Sequence, residues 1–150
     1  MEEVNRRLQS KYAFMNEEEV RYELIETDGA DFLLIAYGLA SRIAHRAVEM
    51  ARSHGMNVGL VRPITLYPFP YKIIRDLAGR VKGMLVIEMN AGQMVEDVRL
   101  GVEGSVPVDF YGRMGGIIPT PDEVLKNVRE VYQRLVRYRQ EGVHVELGKG

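Results

Sequence analysis

Two apolar runs without alternation stand out along the chain: Phe32-Leu-Leu-Ile-Ala-Tyr37 and the start of Met84-Leu-Val-Ile-Glu-Met-Asn-Ala-Gly-Gln93. Side chains of a strand point alternately to its two faces. A run apolar at every position therefore predicts a strand covered on both sides, as in a parallel sheet. Val58-Gly-Leu-Val-Arg62 predicts a third strand. Val20-Arg-Tyr-Glu-Leu24 alternates, the pattern of a half-exposed edge strand, before a turn at Thr27-Asp-Gly-Ala-Asp31. Val106, Val108 and Phe110 also alternate, and Pro107 within them lacks a ladder N–H, which places this strand at a sheet edge.

Between these stretches the apolar period changes to that of a helix. Ala40, Ile43, Ala44, Ala47, Val48 and Ala51 form a broad face of small residues over about 40–54, with Gly55 where a left-handed cap is wanted. Ile73, Ile74, Leu77 and Val81 predict a helix over 71–81, and Val95, Val98 and Val102 one over 93–102. Thr120-Pro-Asp-Glu123 is a capping-box start for a helix carrying Val124, Val128, Val131 and Leu135, with basic last turns and an end at Gly142. Val4, Leu8, Tyr12 and Met15 make a narrow stripe on a helix over 2–16, before Glu17-Glu-Glu19. Strands alternating with helices predict a three-layer αβα sandwich of about five mostly parallel strands. The 20–24 edge strand is the antiparallel candidate, because no crossover helix leads from it to Phe32. The organisation expected is a linker helix at 1–19, one domain at 20–140 and a flexible tail at 141–150.

Composition narrows the function classes. At 150 residues and 46% hydrophobic, the chain supports one full core. A net charge of -1 with interspersed signs argues against nucleic acid as a partner. There is no cysteine, hence no thiol nucleophile and no iron–sulfur ligand of the chain's own. His45, His54 and His144 lack metal-ligand spacing, and His45 and His54 fall on a helix surface. No apolar run reaches membrane-spanning length, and Met-Glu-Glu-Val-Asn-Arg-Arg is unlike a signal peptide, so a soluble cytoplasmic domain is expected.

Candidate chemistry gathers at strand ends, where open α/β sheets bind ligands. Gly38 to Arg42 lies between a strand and a helix, where phosphate could meet free N–H groups, but it lacks both glycine-rich phosphate motifs. A tight turn is the simpler account. Ser41 has no visible base. Glu88 and Asn90, with Gly92 and Gln93, offer either an acid/base pair with ligand contacts, or a cap from Asn90 with Glu88 paired to a neighbour. Arg113, in Gly112-Arg-Met-Gly-Gly116, suits a phosphate or carboxylate grip and equally an interface. Met84, Met89, Met94 and Met114 read as core or contact filler. Residue patterns alone thus give a soluble αβα domain without a self-sufficient catalytic set.

Three segments add a resemblance. Ala36-Tyr-Gly38 with Ser41-Arg42, Gly59-Leu-Val-Arg-Pro-Ile-Thr-Leu-Tyr-Pro-Phe-Pro70 and Glu88-Met-Asn-Ala-Gly-Gln-Met94 occur in this order. Together they closely resemble the carboxyl-terminal domain of the alpha subunit of thiamine-diphosphate-dependent 2-oxoacid:ferredoxin oxidoreductases, over about residues 20 to 138. The 2-oxoisovalerate members look nearest, the 2-oxoglutarate members next. The resemblance implies a transketolase carboxyl-terminal fold. It also implies membership of a complex that decarboxylates a 2-oxoacid oxidatively to an acyl-coenzyme A and reduces ferredoxin. Thiamine diphosphate, Mg2+ and iron–sulfur clusters would be held elsewhere in that complex, and other subunits or domains would be the partners. The chain would be an excised or separately encoded portion, inactive alone, serving assembly and the shaping of the active site.

On this view Glu88, Asn90, Gly92 and Gln93 are contact residues without a catalytic step. Glu88→Ala with Asn90→Ala would leave the isolated fold nearly intact. Two further readings remain open at this point. One is a stand-alone nucleotide or coenzyme module using the loops after Gly38, Asn90 and Gly112. The other is a homo-oligomer formed through the 2–16 helix.

Overall fold

The computed structural model describes residues 19–89, 92–113 and 117–137. The expected 2–16 helix, Asn90, Met114, His144 and the 141–150 tail lie outside these residues. The elements run β1 (Tyr22–Ile25), β2 (Phe32–Ala36), α1 (Gly38–Ser53), β3 (Val58–Pro63), α2 (Tyr71–Ala78), β4 (Gly83–Glu88), α3 (Gln93–Val102), β5 (Val108–Gly112) and α4 (Pro121–Tyr132). A π-helical turn, Gln133–Arg137, follows α4 directly.

The five strands form one sheet in the order β1-β3-β2-β4-β5. β1 pairs antiparallel with β3, Tyr22 opposite Pro63, and the remaining ladders are parallel. The antiparallel edge expected for 20–24 is thus present. Every residue of β2 and β4 is buried, as their unbroken apolar runs require. Side-chain alternation sorts them into two cores. Phe32, Leu34, Ala36, Leu85 and Ile87 pack with α1 and α4, while Leu33, Ile35, Met84 and Val86 pack with α2 and α3. Three layers result, as expected.

Two element ends differ from the sequence reading. β5 begins at Val108, after Pro107, whose carbonyl accepts the Met84 N–H at 3.0 Å. The proline therefore contributes its acceptor just before the strand, and the donor it lacks is never required. α2 stops at Ala78, with Gly79 as its cap, although Val81 remains buried.

Other ends follow the sequence closely. After α1, Gly55 (φ +81) donates to the Arg52 carbonyl and Met56 N–H to that of Ala51, the paired bonds of a Schellman cap. Arg52 also reaches past this cap. Its guanidinium donates to the carbonyls of Val58 (2.8 Å) and Glu26 (2.8 Å), tying α1 to the ends of β3 and β1. Thr120 caps α4, its hydroxyl oxygen accepting from Glu123 N–H at 3.2 Å. After α4, the π turn lets the adjacent Leu135 and Val136 both reach the core.

Candidate functional site at the switch point of the sheet

The order of the strands fixes where a site can lie. From β2 the chain steps across α1 to β3, then returns over β2 through α2 to reach β4. Reversing direction moves the crossover helix to the opposite face of the sheet. The carboxyl ends of β2 and β4 flank this reversal, and in open α/β sheets the crevice there is the ligand position. Gly38 and Ser41 follow β2. Glu88, Gly92 and Gln93 follow β4, with Asn90 outside the described residues. Arg113 follows β5, the neighbour of β4. Sequence reasoning thus placed its candidates on one edge of the sheet, and the groups of β4 and β5 meet directly.

Glu88 is the centre of this edge. It is the last residue of β4, and alternation turns it to the same face as Met84 and Val86, toward α3. Its side chain is 1% exposed. One carboxylate oxygen accepts the Met94 N–H at 2.7 Å and the other the Val95 N–H at 3.1 Å. Glu88 thus caps α3 from outside the helix, satisfying two of its orphan donors and placing negative charge at the positive end of the dipole. Gly92 makes this approach possible: it stands at the cap position with φ +97 and offers no capping side chain of its own. The pairing expected for Glu88 is real, but its partner is backbone.

The remaining candidates are held locally. Gly38 (φ +58) opens α1, and the Ser41 hydroxyl donates to the Gly38 carbonyl at 2.6 Å. Ser41 is 2% exposed, so its hydroxyl serves the first turn of α1 and is shielded from an external electrophile. The Arg113 N–H donates to the Glu88 carbonyl at 3.2 Å, continuing the β4–β5 ladder by one bond. Its guanidinium pairs with the Glu123 carboxylate at 2.9 Å, on the first turn of α4. Tyr111 hydroxyl donates to the same carboxylate oxygen at 3.5 Å. The Glu123 carboxylate is therefore turned toward β5, where the capping-box pattern would have sent it back to Thr120. Met84 and Met94 are core residues, Met89 packs partly buried against it, and His45 is exposed near Glu49.

Sequence reasoning missed one further pair. Tyr71, the first residue of α2, donates its hydroxyl to Asp97 of α3 at 2.6 Å. Partial burial, the hydrogen bond to Asp97 and the nearby carboxylate charge together push the Tyr71 phenol up to about 12. Tyr71 also lines a groove of about 930 Å³ with Val20, Tyr22, Phe69 and Lys72. Residues 26 apart leave no spacing signal; only the packing of α2 on α3 joins them.

Among the described residues, the donor set does not fit the cofactors of oxidative decarboxylation. Among the described residues no group of three His, Asp or Glu side chains could hold a metal ion. The sequence has no cysteine for an iron–sulfur cluster. The helix end at the switch point, the natural seat for a diphosphate, is already filled by the Glu88 carboxylate. No helix of the described residues is long and apolar enough to cross a membrane.

A doubly covered mixed sheet, its switch-point groups bonded to their own backbone, defines a three-layer α/β domain. The chain belongs to the family of the pyruvate:ferredoxin oxidoreductase core domain II, which matches residues 30–124. It is 48% identical over 131 residues to the ketoisovalerate oxidoreductase subunit VorB of Methanothermobacter thermautotrophicus. That match takes in 87% of this chain and 37% of VorB, so the chain spans little more than a third of this relative. The 2-oxoglutarate synthase subunit KorA of Methanothermobacter marburgensis is 41% identical over 102 residues, 68% of this chain and 27% of KorA. Among solved structures, the 2-oxoglutarate:ferredoxin oxidoreductase of Magnetococcus marinus superposes with a TM-score of 0.66 at 25% identity, over 73% of this chain and 19% of that one. A split-gene transketolase, 20% identical, shares the fold with a TM-score of 0.60 over 73% of this chain and 40% of that one.

Proposed function

We propose that this chain is the non-catalytic, carboxyl-terminal-type domain of the alpha subunit of a 2-oxoacid:ferredoxin oxidoreductase, with 2-oxoisovalerate as substrate. The observation that carries the reading is the 48% identity to a ketoisovalerate oxidoreductase subunit across 87% of the chain. The site geometry supports the non-catalytic part. Glu88, Ser41 and Arg113, the groups best suited to chemistry or anion binding, are each engaged by the domain itself. Thiamine diphosphate, Mg2+ and the iron–sulfur clusters then belong to other parts of the complex, as do the steps that use coenzyme A and ferredoxin. The domain's contribution is mechanical: it packs against its neighbours in the cytoplasmic complex and fixes the surroundings of the active site.

The test compares the assembled complex with and without this domain. With the domain, 2-oxoisovalerate-dependent, coenzyme A-dependent reduction of ferredoxin is expected, and the chain alone gives none. Full activity and assembly in a complex lacking these residues would overturn the reading. A preference for 2-oxoglutarate would overturn the substrate assignment alone.

A further inference from the structure

The two outer strands of the sheet are finished differently. Along β5, Val108 to Tyr111 are all half-buried, and the Asp109 carboxylate takes the Phe110 N–H at 2.9 Å and also meets Arg134. Along β1, Tyr22, Glu23 and Leu24 are exposed, and among the described residues β3 is the only strand paired with it. The Arg21 carbonyl accepts the Ile64 N–H at 2.9 Å, which makes these two a hydrogen-bonded pair of the antiparallel ladder. Such pairs alternate with non-bonded ones. Glu23 and Ile25 therefore also bond to β3, while the N–H and C=O groups of Tyr22 and Leu24 point outward. Pro63 opposite Tyr22 fits this phase, since a non-bonded pair asks no donor of it. An open strand edge of this kind is a template for another strand.

The side chains of this edge are complementary to themselves. Val20, Tyr22 and Leu24 share one face by alternation. Val20 and Tyr22 line the groove beside α2, and Tyr22 and Leu24 are 39% and 41% exposed. Arg21 and Glu23 share the other face. Glu23 pairs with Arg62 at 3.1 Å, and among the described residues the Arg21 guanidinium has no acidic partner. Turned end for end, Val20-Arg-Tyr-Glu-Leu24 meets its own copy apolar against apolar and cation against anion. With Tyr22 opposite Tyr22 of a second copy, Leu24 stands opposite Val20 and Arg21 opposite Glu23, twice over. Aromatic and opposite-charge pairs across strands both stabilise an antiparallel ladder. The next register that keeps the outward backbone groups bonded sets Glu23 against Glu23 on one side, or Arg21 against Arg21 on the other. Charge thus selects one pairing.

We propose that β1 pairs antiparallel with β1 of a second copy of this chain, about a two-fold axis at Tyr22, joining the two sheets edge to edge. The contact is isologous, each copy offering the same strand. It goes beyond the functional reading above and stands whichever reaction the assembly performs. A contact of one short strand is smaller than a permanent interface, so the pairing of the chain by itself is reversible and depends on concentration.

The experiment uses the full 150-residue chain, whose lack of cysteine leaves no background for disulfide trapping. Tyr22→Cys and Leu24→Cys are oxidised separately at equal concentrations, and the covalent dimer is read on a non-reducing gel. In the proposed register the two Tyr22 positions face each other with Cα atoms about 5.5 Å apart, within disulfide reach. The two Leu24 positions stand about 14 Å apart, out of reach. At least tenfold more dimer is expected from Tyr22→Cys. Equal yields from the two, or none from Tyr22→Cys at any concentration, would overturn the proposal. Adding Arg21→Glu to Tyr22→Cys sets two carboxylates opposite each other and is expected to lower the yield at least tenfold, with the melting temperature unchanged. An undiminished yield would overturn the register. Should that variant melt early, the salt dependence of Tyr22→Cys decides instead: the yield is expected to fall at least threefold from low to high ionic strength, and a yield indifferent to salt counts against the charge match.

Discussion

The Glu88 carboxylate accepts the backbone N–H of Met94 across a turn that separates strand from helix, at 2.7 Å and in a site closed to solvent. A group that in sequence looks like a catalytic acid is, in the fold, the cap of α3. This reverses the expectation that its removal spares the isolated domain. Glu88→Ala leaves two buried N–H groups without an acceptor and is expected to cost about 1–3 kcal/mol of stability. Glu88→Gln keeps one acceptor oxygen and should cost less. Urea denaturation of the isolated chain ranks the three proteins, and an Ala variant as stable as the wild type would refute the cap.

Gly92 and Gly79 should respond to alanine with opposite signs. Gly92 has φ +97, and a Cβ there would meet the Phe110 ring and Val95 at 3.3 Å. Gly92→Ala is expected to destabilise by about 1–3 kcal/mol. Gly79 has φ -71, and its Cβ would approach nothing nearer than 3.7 Å. Gly79→Ala is expected to stabilise by about 0.4–1 kcal/mol, through lost freedom of the unfolded chain. Thermal melts of the two variants give the signs directly.

The Tyr71–Asp97 bond predicts a pH dependence. Partial burial and the hydrogen bond to the Asp97 carboxylate push the Tyr71 phenol up to about 12 in the fold. A raised folded value means the protonated phenol is favoured by folding. Its contribution is complete below about pH 10 and is lost as pH climbs through about 12. The wild type should therefore lose stability over that window relative to Tyr71→Phe. Asp97→Asn should lower the Tyr71 value toward, but not to, its ordinary one, since partial burial remains. Phenolate absorbance during an alkaline titration follows both.

Arg113 and Glu123 are each over a third exposed, at 35% and 39%. Their ion pair is expected to contribute less than about 1 kcal/mol and to weaken in salt. A double-mutant cycle with Arg113→Ala and Glu123→Gln at low and high ionic strength measures it. A coupling above 2 kcal/mol, insensitive to salt, would show that the pair is more deeply embedded than its exposure indicates.

Most of the fold was legible because burial on both faces leaves a one-letter trace. Phe32–Ala36 and Met84–Ile87 are apolar at every position, and Val20-Arg-Tyr-Glu-Leu24, which leads into the antiparallel edge, alternates. The edge of the sheet that carries the candidate groups was legible too, because ends of predicted strands must fall together. Their bonding was not. Glu88 reaches N–H groups six and seven residues on, a reach that depends on the Gly92 conformation, and backbone donors have no sequence signature. A signal was nonetheless present: Glu88 continues the inward face of a strand buried throughout, so its charge had to be answered from inside. Arg113 stands open between ligand and interface in the sequence, because nothing in the spacing brings the Glu123 carboxylate to its guanidinium. Tyr71 and Asp97 were invisible as a pair until α2 lay on α3.

The position of β2 between β3 and β4 also bears on the order of folding. The β2–β3 ladder closes from Phe32 to Val58, whereas the β2–β4 ladder must close from Phe32 to Gly83. The shorter loop loses less chain entropy, so β2, α1 and β3 are expected to pair first, with β4 then adding to the open side of β2 and β5 to β4. The Glu88 cap requires β4, so it is expected to form late and to slow unfolding more than it speeds folding.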